Sequence, residues 1–188
     1  MKLGAFAACC AVLAFASGCA DMDGAANAVS IPDGRQFVDE VYPVLLRDCA
    51  FSNCHGSHDR FLQVLGPGRP RLDPDNTDVT EPMKYEEVVF SYERARSMLA
   101  TGVTATASLL LMKPLELSAG GQGHRGADDY GRNVFRSKHD PGIQAILRWA
   151  YSTGAPPSQA DVDAANERAT AAMDQFDQHL TTEQGMQP

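Results

Sequence analysis

Residues 48–58, DCAFSNCHGSH, place two cysteines and two histidines within eleven positions. Cys49 and Cys54 are separated by four residues, and His55 follows directly. Two thiols and an imidazole this close together support three chemistries. The thiols can add to the two vinyl groups of a porphyrin while the imidazole binds the iron, the c-type haem arrangement, whose usual spacing has two residues between the cysteines. The extra pair within Ala50–Asn53 can bulge away and still leave both sulfurs at one porphyrin edge. Cys49, Cys54, His55 and His58 can alternatively form a Cys2His2 zinc site, although adjacent Cys54 and His55 fit a tetrahedron awkwardly. Finally, the cysteines can close a disulfide loop, which leaves His55 without a role. A thiol oxidoreductase needs two residues between its cysteines and a βαβ setting, and both are missing.

The compartment bears on this choice. The chain opens MKLGAFAACCAVLAFASGCA: one early cation, Lys2, an apolar run from Ala5 to Phe15, then small residues. This is the form of a secretory leader, and the run is too short to span a membrane. Ala16-Ser17-Gly18-Cys19 resembles a bacterial lipobox, in which the cysteine is lipidated and becomes the first mature residue. Ala20 rather than Asp follows it, which that resemblance ties to the outer membrane. Residues 1–18 are then the leader, Cys9 and Cys10 leave with it, and Cys19 carries lipid. Cys49 and Cys54 remain in an exported compartment, where thiols do not stay free without a reason. The formal charge of −8 becomes about −9 when Lys2 is removed, which argues against nucleic acid as a partner.

The elements that must position this cluster are helical. Residues 19–33, small and polar, read as a tether. In 34–48, Phe37, Val41, Val44 and Leu45 fall on one helical face, and Pro43 breaks it into two pieces, starting the second. Residues 61–78 hold Pro67, Pro70 and Pro74 and read as loop. A helix follows with Tyr85, Val88, Val89, Tyr92, Met98 and Leu99 on its apolar side. Leu109–Met112 lies in a short apolar run stopped by Pro114. Residues 118–131 carry five glycines and His124. Asp140 caps a helix with Pro141 at its first position; Ile143, Ile146, Leu147, Ala150 and Tyr151 form its face, with Trp149 beside it. A surface helix with a thin stripe runs from Ser158 to Leu180. No segment reads as a central strand, so the expected class is all-α: a domain over 34–157, followed by a helix and tail over 158–188.

Four stretches, FVDEVYPVLLRDCAFSNCHG, SLLLMKPL, GGQGHRG and DPGIQAILRWAYSTGAP, resemble, in order, the cytochrome c-like domains of bacterial envelope lipoproteins. The resemblance spans roughly residues 35–157. It implies one covalent haem c held by Cys49 and Cys54, His55 on the iron, and electron transfer to redox partner proteins of the envelope, with the membrane reached through the Cys19 lipid. His124 matches a recurring family position and is the expected sixth ligand, with Met112, held by the following Lys113-Pro114, as the alternative. His58 is too near His55 to reach the opposite face of the haem. His139 belongs to the start of the last core helix, His179 to the trailing helix, and Met83, Met98 and Met173 to the core. The competing function is a haem-free envelope lipoprotein, a binding or scaffold module stapled by a Cys49–Cys54 disulfide. An enzyme with an open iron site ranks below both, because no acid–base constellation accompanies the cluster.

The anchor has a direct test. Cys19→Ala should move the protein from the detergent-requiring membrane fraction to the soluble envelope fraction. A wild-type chain that is already soluble without detergent contradicts the lipobox reading.

Overall fold

The computed structural model describes residues 31–99, 104–122, 124 and 134–184. The leader, Cys19, most of the tether and most of the glycine-rich loop lie outside them. The described residues form α1 (Gly34–Gln36), a π-helical turn (Phe37–Val41), α2 (Tyr42–Asp48), α3 (Tyr85–Ser97), α4 (Leu109–Met112), α5 (Pro141–Ala150) and α6 (Gln159–Gln184), with 3-10 turns at Ala105–Ala107 and Leu117–Ala119. Among the described residues no β-strand occurs; a single bridge joins Leu115 to Phe135. The all-α class is therefore observed. No described helix is long and apolar enough to cross a membrane.

Pro43 accounts for the π-turn. Lacking an N–H, it cannot donate to the carbonyl four residues back, and the preceding turn widens so that the Tyr42 N–H reaches the Phe37 carbonyl. The expected break is thus a widened turn inside one continuous run. Phe37, Val41, Val44 and Leu45 are all buried, as the periodicity requires.

The core centres on the crossing of this run with α5. Phe37 sits among three rings, with centroids 5.3 Å from Tyr92, 5.1 Å from Trp149 and 5.9 Å from Tyr42. Trp149 is fully buried at the centre of the α5 face, and Tyr151 is exposed. Periodicity places Tyr151 on the buried face and Trp149 beside it; the structure has the opposite, because Tyr151 caps the helix end and turns away. Asp140 and Pro141 start α5 as expected, with the Asp140 carboxylate accepting from the Gly142 N–H at 2.8 Å.

Two other differences concern the ends. Ile31–Asp33, read as the last part of the tether, are built into the domain. Asp33 caps α1, Trp149 Nε1 donates to the Asp33 carbonyl at 3.0 Å, and Tyr92 donates to the Pro32 carbonyl at 2.7 Å. At the other end, only the first turns of α6 pack. Val162 and Ala165 are buried, and the Asn166 amide bonds both backbone groups of Met83. Met173, expected in the core, is 69% exposed because the later turns run past the domain.

The long loop between α2 and α3 is held by a side chain that sequence pattern gives no reason to bury. Glu87 on α3 is fully buried and receives a two-pronged contact from Arg71, with both N···O distances 2.8 Å. The other Arg71 donors reach the Glu81 carbonyl at 2.9 Å and the Pro82 carbonyl at 3.0 Å. Glu87 also accepts from the Leu72 N–H at 3.0 Å. Breaking such a pair leaves one charge buried and uncompensated, at a cost of about 3–5 kcal/mol. Glu87→Ala should lower unfolding free energy in urea by that amount. A cost for Glu87→Ala below about 1 kcal/mol, the range of an exposed pair, refutes this role.

Candidate functional site

α2 delivers Cys49 at its C-terminal cap, where the Cys49 N–H still donates to the Leu45 carbonyl at 2.9 Å. The chain then folds back on itself. The Cys54 and Gly56 N–H groups donate to the Phe51 carbonyl at 2.8 and 3.0 Å, and the His55 N–H returns to the Cys49 carbonyl at 3.0 Å. The four intervening residues thus form a tight loop that brings Cys54 and His55 back beside Cys49. Gly56 is required by space: a Cβ there would stand 2.5 Å from the Ala50 carbonyl oxygen.

Cys49, Cys54 and His55 line one cavity of about 400 Å³. Its other walls come from Leu45, Leu62, Met98, Leu109, Leu110, Phe135 and Ile146, so it is chiefly apolar. His124 lies on the same cavity, its ring centroid 5.9 Å from that of His55 with the planes at 49°. Residues 69 positions apart in the chain thereby face each other across a small apolar space.

The two histidines are fixed differently. His55 Nδ1 lies 2.9 Å from the Leu62 carbonyl. That bond makes Nδ1 the protonated nitrogen and leaves Nε2 with a free lone pair. His124 Nδ1 is buried and has no hydrogen-bond partner among the described residues. His124 is placed by its approach. The Gln122 N–H donates to the Met112 carbonyl at 2.8 Å, and Gly121, where a Cβ would collide with the Leu115 carbonyl, lets the chain turn there. The base of this loop is closed by Glu116 donating to Phe135 at 2.9 Å and Phe135 donating to Pro114 at 3.0 Å.

Both imidazoles are held below their ordinary pKa. For His55, burial is the main cause, assisted by the Arg60 charge and opposed by the Leu62 bond. For His124 it is burial, then the facing His55, then Lys113 and Arg60. Both rings are therefore neutral at neutral pH, the form that can donate a lone pair to a metal. Burial also pushes the Cys49 thiol up to about 12, so it is a thiol rather than a thiolate. Both cysteines are free.

Not every expected residue arrives. Met112, the alternative iron ligand, lines a second cavity of about 380 Å³, with Leu111, Ile143 and Leu147. Met98, read as core, packs against the core and also lines the His55 cavity. α4 is a single turn, so its side chains point in every direction, and the sequence could not tell which of them faced the cysteine loop. His58 and His139 are exposed, and neither lines the cavity. Among the described residues no group of three or more His, Cys, Asp or Glu is arranged to hold a bare metal ion, which removes the support for the zinc arrangement. Two further cavity residues, Asp48 and Lys113, had no signal beyond their neighbours in sequence. Comparison with family models, curated proteins and solved structures finds no match to this chain.

The shifts have a consequence for the chain without a bound group. Each imidazole's folded pKa lies below its unfolded value of 6.5, so the unfolded state binds the proton first. Their contribution to stability is complete above about pH 6.5 and is lost as pH falls through the folded values. Urea unfolding of the ligand-free chain between pH 7 and 5 should show stability falling with pH, and more shallowly in His55→Gln/His124→Gln. Equal slopes in the two chains refute the assignment.

Proposed function

We propose that this domain holds one haem in the cavity, attached through Cys49 and Cys54 and ligated by His55 and His124, and that it carries electrons in the cell envelope. The observation that carries the reading is the facing pair of neutral imidazoles on one apolar cavity whose wall also bears both free thiols. Metal–imidazole nitrogen distances are about 2.0–2.1 Å, which puts two rings on opposite sides of one metal with centroids about 6–6.5 Å apart; the observed separation is 5.9 Å. The cavity volume lies within the roughly 300–1,000 Å³ of small-ligand and cofactor sites. The family resemblance of the sequence points the same way, towards a cytochrome c-like fold.

A bound haem supplies one-electron redox chemistry. The protein's part is ligation, orientation and exclusion of water. Leu62 orients His55 through its carbonyl, and Phe135, Ile146 and Leu45 keep the site dry. Two imidazole ligands give a lower potential than an imidazole–thioether pair. The lipobox cysteine tethers the domain to an envelope membrane, within reach of redox partner proteins there.

Expression with a c-haem maturation system tests the attachment. The intact mass should exceed the lipidated polypeptide by one haem, and the denatured, reduced pyridine spectrum should be that of a thioether-linked haem. A mass lower by two hydrogens would mean a disulfide and sink the proposal in favour of the haem-free module. The ligand assignment is read from ferric spectra. His124→Ala should convert low-spin iron to high spin, while Met112→Leu and Met98→Leu should leave it low spin. Loss of a red-edge sulfur-to-iron band in a methionine variant, with no effect of His124→Ala, reverses the assignment.

A further inference from the structure

The second cavity, of about 380 Å³, is separate from the His55 site and takes no part in the ligation scheme. α4 and α5 divide the two. Leu110 and Ile146 line the His55 cavity, while Leu111, Met112, Ile143 and Leu147 line this one. Its floor is aliphatic, with Leu111, Leu115 and Ile143 buried. Met112 and Leu147 are half-buried, and Thr106, Ala107 and Lys138 lie exposed at its mouth. A concave apolar space of this size with a few polar groups at one end is the usual form of a small-molecule site.

The lining selects the occupant. Among the described residues no aromatic ring lines the cavity, so nothing offers a face for a flat ring to stack on. Aliphatic walls that include the adaptable thioether of Met112 suit a flexible alkyl chain instead. Lys138 is the one charged group among the described lining residues, and it makes no hydrogen bond or ion pair with any of them. It is nevertheless held in place. Its carbonyl accepts from Gln144 Nε2 at 2.5 Å, which ties it to α5. Its ammonium lies against Gly120, where a Cβ would stand 3.5 Å from Nζ. An anionic head bound at Lys138 keeps contact with water while the chain behind it is buried, so the charge loses little hydration. We propose that this cavity binds a single-chain aliphatic carboxylate, with its chain on Leu111, Leu115 and Ile143 and its head on Lys138.

The site is independent of the haem reading, and the test keeps the two cavities apart. Isotope labels on the methionine methyls of the full chain put a reporter in each: Met112 in this cavity and Met98 in the other. Met112→Leu and Met98→Leu identify the two signals. Titration with decanoate should shift the Met112 methyl saturably and leave Met98 in place. Decanol, with the same chain and no charge, should bind about threefold more weakly, the effect of one exposed ion pair. Lys138→Gln should remove that difference by weakening decanoate alone, and Lys138→Arg should keep it. Ala107→Trp, at an exposed position of the mouth, should block both ligands. Circular dichroism checks that each variant keeps the fold. A Met98 shift at an equal or lower decanoate concentration places the ligand in the His55 cavity and overturns the proposal. So does the absence of any shift, equal affinity of the wild-type chain for decanoate and decanol, a preference that survives Lys138→Gln, or unchanged binding in a folded Ala107→Trp chain.

Discussion

The crossing of the Phe37–Val41 turn with α5 is the contact on which the remaining structure depends. Phe37 and Trp149 meet there with ring centroids 5.1 Å apart, and Tyr92 of α3 closes the triangle at 5.3 and 5.7 Å. Aromatic groups of this size remove much apolar area from water, and tilted or edge-on pairs add about 0.5–1.5 kcal/mol beyond that area. The polar tips are satisfied by the chain just before α1: Trp149 donates to Asp33 and Tyr92 to Pro32. One cluster therefore fixes three helices and the domain's entry strand of backbone at once. α2 continues from this crossing, so the crossing determines where Cys49 lands.

From that fixed point the site is assembled by backbone hydrogen bonds more than by side chains. The cysteine loop closes through the Cys49 and Phe51 carbonyls, and the His124 segment is set by the Met112 carbonyl. The cavity is walled largely by short elements and loops. They also bury little area of their own. A cavity of about 400 Å³ inside a domain of this size is a sizeable loss of packing, and filling it would return that loss as binding energy.

The Arg71–Glu87 pair solves a related problem at the loop between α2 and α3. That stretch has no helix to satisfy its backbone. Arg71 gathers three of its carbonyls while Glu87 holds Arg71. Tyr42 adds a bond to the Leu65 carbonyl, and Ser91 accepts from the Leu65 N–H at 3.3 Å. The loop is thereby pinned over α3 and the cysteine loop, with Leu62 placed so that its carbonyl meets His55.

The sequence by itself determined what depends on near neighbours. Apolar spacing located α3 and α5, Asp140 and Pro141 marked the start of α5, Pro43 marked the break before α2, and the spacing of Cys49, Cys54 and His55 posed haem attachment, zinc binding and a disulfide as alternatives. These are local effects of backbone sterics, capping and periodicity, legible over one or two helical turns. What required tertiary structure was every relation between distant segments. Met98 and not Met112 reaches the His55 cavity, because the direction of a one-turn helix is set by what it packs on. Glu87 is buried because Arg71 arrives from a loop, and no pattern on α3 predicts a partner sixteen residues earlier. Trp149 faces inward and Tyr151 outward because the helix ends between them. The meeting of His55 with His124 was an expectation of resemblance. Only the fold, by closing the loop base at Leu115–Phe135 and turning the chain at Gly121, brings the two rings to one cavity.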